Sequence, residues 1–198
     1  MLEAFNQGPG SLISALYDQL RIGQTIDEMV RWDPVQCRLS PGTRIKALVI
    51  NIFGRQRPLY RLAEFHEHMD IENLFGKGIH LDDLTDYNMA RALDKLGERG
   101  PWEVFSTICL RAICHEQIDL KYLHSDTTSI SLYGTYEDQD GNEFIITHGN
   151  SKDKRPDLKQ FLYGLSVTPD KVPVCADVNS GNTSDKTWNL DFIEKLTK

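Results

Sequence analysis

The chain lacks any uninterrupted apolar run of the roughly 18 residues that a membrane-spanning helix needs. Its first residues, Met1-Leu-Glu-Ala-Phe-Asn-Gln7, lack the charged stretch and apolar run of a secretory signal, so a cytoplasmic protein is expected. Cysteine is scarce. Cys37, Cys109, Cys114 and Cys175 include no C-x-x-C pair, and Cys109 and Cys114 fall on different faces of one predicted helix. That spacing argues against a disulfide framework and a zinc site, leaving reduced packing thiols. Two short motifs also fall short of a site. His66-Glu67-His68 is not H-E-x-x-H, and residues two apart on a helix point about 200° apart. Gly76-Lys77-Gly78 is too short to cradle a phosphate and lacks the following Ser or Thr, so it reads as a connector.

What remains is an ordinary globular composition of 198 residues, 40% hydrophobic and 26% charged. The net charge of -7 argues against a general nucleic-acid binder. The charge is unevenly spread, however. Arg38, Arg44, Lys46, Arg55, Arg57 and Arg61 follow one another with no acid between them, and acids then dominate from Glu64 to Glu103. A basic stripe inside an acidic protein is compatible with phosphate contact; its ordinary reading is a solvated rim.

Up to residue 118 the pattern is helical. Leu12, Ile13, Leu16, Tyr17 and Leu20 predict a helix over 11–21 that ends at Gly23, with Thr25 capping a second one. Ser40-Pro41 starts a third, with Ile45, Leu48, Val49, Ile52 and Phe53 inward and Gly54 at its end. Arg57-Pro58 opens a fourth with Leu59, Leu62 and Ala63 inward, which suggests a helix-turn-helix variant with basic residues at the turn. Thr85 caps a helix that ends at Gly97. Pro101 starts the longest helix, with Trp102, Phe105, Ile108, Cys109, Ala112 and Ile113 on one face.

From about His115 the period changes from 3.6 to 2. The expected division is a helical domain over 1–118 and a strand-rich domain over 119–198. Tyr122 to Ser131 is rich in β-branched and hydroxyl residues and reads as a strand. Asp126, Thr128 and Ile130 lie on one face of it, and Ser125, Thr127 and Ser129 on the other. An Asp in a buried-looking strand must be hydrogen-bonded or bound to a metal, and a structural Asp is the ordinary case. Two flanking segments, 133–137 and 143–147, predict a hairpin about Asp140-Gly141; 158–167 and 172–178 predict two more core strands. Gly181-Asn-Thr183-Ser184-Asp185 then caps a last helix with Trp188, Phe192, Ile193 and Leu196 inward.

Three stretches, Leu123-His-Ser-Asp-Thr-Thr-Ser129, Thr147-His-Gly-Asn-Ser-Lys-Asp-Lys-Arg-Pro-Asp-Leu-Lys-Gln160 and Ser180-Gly-Asn-Thr-Ser-Asp-Lys-Thr187, closely resemble DDE transposases of bacterial insertion sequences. The branch resembled is that of the IS-four superfamily whose helical N-terminal domain is of unknown function. Arg57-Pro-Leu-Tyr60 and Arg91-Ala-Leu-Asp-Lys95 are similar to that domain. The resemblance implies an α+β chain: an all-helical N-terminal domain, then a partial ribonuclease H-like β-β-β-α unit.

Such enzymes cut a DNA phosphodiester and join the freed 3′ hydroxyl to target DNA, using two Mg²⁺ or Mn²⁺ ions held by three acids. The resemblance makes Asp126 the first of these, a catalytic metal ligand. The basic stripe offers Arg44, Lys46, Arg55, Arg57 and Arg61 as candidate DNA contacts, and Lys152, Lys154, Arg155 and Lys159 beside Asp126 are candidate phosphate contacts whose ordinary reading is a solvated loop. The family's second and third acids match nothing here; neither Asp177 nor Asp185 stands at a catalytic position. The chain is therefore expected to be the N-terminal part of a transposase that does not cleave alone and holds no stable metal. Its expected partners are transposon ends, a second copy or the full-length enzyme, in the nucleoid. A non-catalytic DNA- or protein-binding module derived from a truncated transposase is the alternative.

Overall fold

The structure, a computed structural model, describes residues 5–6, 8–137, 144–184 and 187–188. It is an α+β chain whose helices precede a three-stranded antiparallel sheet. Backbone contacts divide it into two units, Met1–His115 and Glu116–Lys198. Among the described residues no helix is long and apolar enough to cross a membrane.

The helical unit contains α1 (Gly10–Gln19), α2 (Ile22–Met29), α3 (Pro41–Phe53), a 3₁₀ turn (Leu59–Arg61), α4 (Leu62–His66), α5 (Ile71–Phe75), α6 (Asp86–Arg99) and α7 (Pro101–Glu116). Three starts match their sequence signals. The Ser40 hydroxyl accepts from the Thr43 N–H at 3.1 Å, with Pro41 at the first helical position. The Thr85 hydroxyl accepts from the Asn88 N–H at 3.2 Å, and Pro101 opens the 16-residue α7.

Two glycines do not act as expected. Gly23 lies inside α2, because it is a packing surface: a Cβ on Gly42 of α3 would strike the Gly23 carbonyl. The break between α1 and α2 falls instead at Arg21, which takes a left-handed φ of 53°. Gly97 likewise lies inside α6, which runs on to Arg99.

The buried face of α3 is rotated from the expected one. Gly42, Lys46, Ala47, Ile50 and Asn51 are buried, while Ile52 and Phe53 face water. The reason is that α3 is packed from several sides, so its inward face is set by its neighbours rather than by its most apolar stripe. Leu39, Ala47, Ile50, Leu62, Met69, Leu74, Phe75, Leu84 and Met89 form the main core. Ile26, Val30 and Val104 form a second, smaller one. Of the expected helix-turn-helix, the second helix is only the five-residue α4 behind a 3₁₀ turn, too short for a recognition helix. His66, which the sequence offered only within a failed metal motif, belongs to the core. It is fully buried, its Nδ1 lies 2.9 Å from the Leu62 carbonyl, and its ring packs edge-on against Phe65 and Phe75.

The second unit is built on β1 (His124–Leu132), β2 (Lys159–Val167) and β3 (Pro173–Ser180), in spatial order β1-β2-β3. The register pairs Asp126 with Leu165 and Leu165 with Ala176. The turn between β2 and β3 closes where the Thr168 N–H donates to the Val172 carbonyl at 2.9 Å, with Lys171 at a left-handed φ of 64°. Residues 133–137 and 144–146, expected as strands, are irregular; only Thr147 makes an isolated bridge, to Gln160. The Asp140-Gly141 turn and the inward Phe192, Ile193 and Leu196 lie outside the described residues. The Ser184 hydroxyl does accept from the Thr187 N–H at 3.2 Å, as a helix cap would.

Candidate functional site

Alternation along β1 places its side chains as the sequence predicts, but the two faces are exchanged in burial. Thr127 and Ser129 are each 5% exposed, whereas the Asp126 side chain is 97% exposed. The expected buried Asp is thus an exposed one. Its carboxylate keeps its water, so no partner is required to hold it there. The Asp126 Oδ1 accepts from the Thr127 N–H at 2.8 Å, and the Lys152 Nζ stands 4.0 Å away. Asp126 lines an open groove of about 310 Å³ with His124, Thr128, Tyr163, Leu165 and Val167.

The loop before β2 is fastened to β1 through Lys152. The Lys152 main-chain N–H donates to the Ser129 hydroxyl at 3.2 Å, and Nζ donates to the Thr127 carbonyl at 2.5 Å and hydroxyl at 2.9 Å. Arg155 forms a two-pronged pair with Asp157 at 2.8 and 2.6 Å and donates to the Tyr133 hydroxyl at 3.3 Å. Those partners raise its pKa far above the usual guanidinium value and hold the Asp157 carboxyl below its own. Lys159 donates to the carbonyls of Thr135 and Tyr136. Of the four cations expected to hold phosphate here, Lys154 alone has no partner for its side chain among the described residues.

These residues do not complete a metal centre. Among the described residues no group of three or more His, Cys, Asp or Glu side chains is close enough to hold an ion. The nearest charge to Asp126 is a lysine, and Asp177, opposite Gly164, belongs to the other face of the sheet. A two-metal arrangement needs more oxygen ligands than this.

The basic stripe of the helical unit divides into three. Lys46 is withdrawn from any DNA contact: it is 6% exposed, and its Nζ binds both Asp18 oxygens at 2.9 and 2.7 Å. The Asp lies 28 residues away in sequence, so no local pattern signals the pair. Arg44 is half-buried and donates to the Asn88 carbonyl at 3.3 Å, while Arg61 pairs with Glu64 at 2.7 Å. Arg55 and Arg57 are exposed, and neither guanidinium has a carboxylate partner among the described residues. Sequence reasoning missed the buried Asn51 that holds this loop. A lone Asn on a helix face carries no signal of such a role.

The family described as a domain of unknown function, DUF4277, matches residues 10–110, half of the chain. The chain belongs to this family. No curated protein and no solved structure matches it. The DUF4277 match runs from α1 into α7 and stops before β1. The whole basic stripe therefore lies inside the family's domain, and Asp126 with its flanking cations lies outside it.

Proposed function

We propose that this chain is part of a DDE transposase of a bacterial insertion sequence. Its DUF4277 unit contacts DNA, and its sheet unit opens a ribonuclease H-like catalytic domain. The observation that carries the reading is the antiparallel β1-β2-β3 meander with Asp126 as the third residue of its first strand, displayed to an open groove, and with a capping hydroxyl at Ser184 after β3. A ribonuclease H-like core begins in this order, with its first acid on its first strand. The resemblance of residues 147–160 to the family's motif supports the same reading, because that motif is long and its Lys152 stands beside Asp126.

Asp126 supplies one oxygen-ligand side chain of a centre that these residues do not complete. Cleavage would require two further acids on other residues. Unpaired Arg55 and Arg57 are the DNA contacts the exposed surface offers, and Lys154 is the corresponding cation of the sheet unit.

The gene and its surroundings provide the test. The reading requires a further strand carrying an Asp and a later helix carrying a Glu in the coding region beyond residue 198. Excision by that complete product is expected to be lost in Asp126→Asn while binding to the element's ends is retained. Excision that survives Asp126→Asn would remove the acid from its role and the reading with it.

A further inference from the structure

The end of α3 and the loop after it are built to present groups to a ligand. Ile52, Phe53 and Tyr60 are 58%, 64% and 73% exposed, although each is apolar or aromatic. Between them the chain is held in one shape. The Asn51 side chain is buried, donates to the Arg57 carbonyl at 2.7 Å and accepts from the Arg57 N–H at 2.9 Å. The Gln56 N–H donates to the Asn51 carbonyl at 2.9 Å, with Gln56 at a left-handed φ of 50°. A loop ordered in advance spares a ligand the entropy of ordering it.

On this loop stand two guanidiniums without a carboxylate, in a chain of net charge -7. Among the described residues Arg38, Arg61, Arg99, Arg111 and Arg155 each have one, while Arg21, Arg31, Arg44 and Arg91 share its absence but do not line this cavity. Beside the loop lies a cavity of about 310 Å³ lined by Phe53, Arg55, Arg57, Phe65, His68 and Met69. The acid in its wall, Glu64, is already bonded to Arg61. Aromatic side chains and two guanidiniums without a carboxylate, lining one cavity, match the chemistry of a base with phosphates on either side.

We propose that this cavity takes an unpaired DNA base, stacked on Phe53, with the flanking phosphates on Arg55 and Arg57. The inference rests on the DNA-binding reading above and adds the state of the DNA: a frayed or single-stranded end. A closed duplex satisfies the arginines but offers no base face to Phe53, whereas an unpaired base satisfies both. An acidic peptide would also leave the aromatic wall unused.

The 198-residue chain is titrated into labelled oligothymidylate, a blunt duplex, and the same duplex with a single-stranded overhang, with polyglutamate as a competitor. The two probes with unpaired bases are expected to bind more tightly than the blunt duplex. Phe53→Ala should weaken them about tenfold and change the blunt duplex by less than about twofold, and Phe53→Trp should restore them. Because Phe53 is exposed, its truncation leaves the core intact. The double change Arg55→Ala and Arg57→Ala should weaken all three. Equal binding of the three probes, or no loss in Phe53→Ala, overturns the base site and leaves the DNA reading standing. Displacement of every probe by polyglutamate at equal charge overturns it in favour of a general anion patch. No binding to any DNA overturns the site together with the DNA-binding role of the stripe.

Discussion

In the helical unit the side chains shut off from water are mainly apolar, Ile26, Leu39, Ile50, Leu62, Leu74, Leu84 and Met89 among them, with Thr25 and His66 among the polar exceptions; in the sheet unit Thr127, Ser129, Gln160, Ser166 and Thr168 are buried beside Leu162, Val174, Cys175 and Trp188. The open face of the same sheet carries Ile130, Phe161, Tyr163, Leu165, Val167 and Val178, all partly exposed. The helical unit thus encloses its apolar surface, and the sheet encloses a mostly polar face. The polar face tolerates burial because much of it is hydrogen-bonded. The Ser125 and Ser166 hydroxyls bond each other, Gln160 donates to the Gly181 carbonyl at 2.8 Å, and Lys152 reaches Thr127. Burial in this sheet therefore follows hydrogen bonding as much as apolar character.

The contrast can be broken most directly by matched truncations. Leu62→Ala empties a fully buried site in the main core and should cost about 2–5 kcal/mol in urea unfolding. Leu165→Ala on the open face should cost less than about 1.5 kcal/mol. Equal losses would mean that the open face is a closed core after all.

Two glycines extend the comparison to overpacking. Gly42→Ala drives a methyl into the Gly23 carbonyl, where neither backbone yields, and should destabilise the helical unit by about 3 kcal/mol. Gly164→Ala meets the buried Trp188 ring, a side chain and not a backbone, so about 1–3 kcal/mol is expected. Hydrogen exchange read separately in each unit distinguishes the two effects. A larger loss in the sheet unit would reverse the assignment.

Titration should separate the units by sign. Burial holds the His66 pKa below its usual value, so the unfolded chain takes up its proton first. Its contribution is complete above about pH 6.5 and is lost as the pH falls from there through the folded value. Burial raises the Cys175 thiol from 9.0 to about 11, so its contribution is complete below 9.0 and is lost as the pH rises through about 11. Through His66 the helical unit should thus weaken on the acid side, and through Cys175 the sheet unit should weaken from pH 9.0 upward, before the buried Tyr17 of the helical unit, also raised by burial, begins to cost stability above pH 10.0. His66→Gln should flatten the acid limb; a limb that keeps its slope would place the titrating group elsewhere.

The smallest effect belongs to the residue of greatest interest. Asp126→Asn should change stability by less than about 0.5 kcal/mol, since the side chain is almost wholly exposed. A loss well beyond that in thermal unfolding would make Asp126 a structural acid.

Much of this architecture was readable along the chain. Ser40-Pro41, Thr85 and Pro101 mark helix starts because capping is a local matter of one hydroxyl or one ring against the first turn. The alternation of β1 was readable for the same reason, being a property of extended backbone. The inward face of α3, the packing role of Gly23 and the burial of Lys46 against Asp18 were not, because each depends on a partner far away in sequence. The candidate site divides the same way. Arg55, Arg57 and Asp126 were found as charges, but the exposure of all three, and the lack of a carboxylate partner at the two arginines, belong to three dimensions.

Sequence by itself determined where α3, α6 and α7 begin, that helices give way to strands near residue 116, and which residues of β1 share a face. These follow from backbone geometry and from groups within a turn of one another. Tertiary structure alone decided which face is covered, which cations are neutralised and which stand free. Burial and ion pairing are settled by whatever lies opposite, and a one-dimensional pattern does not carry that information.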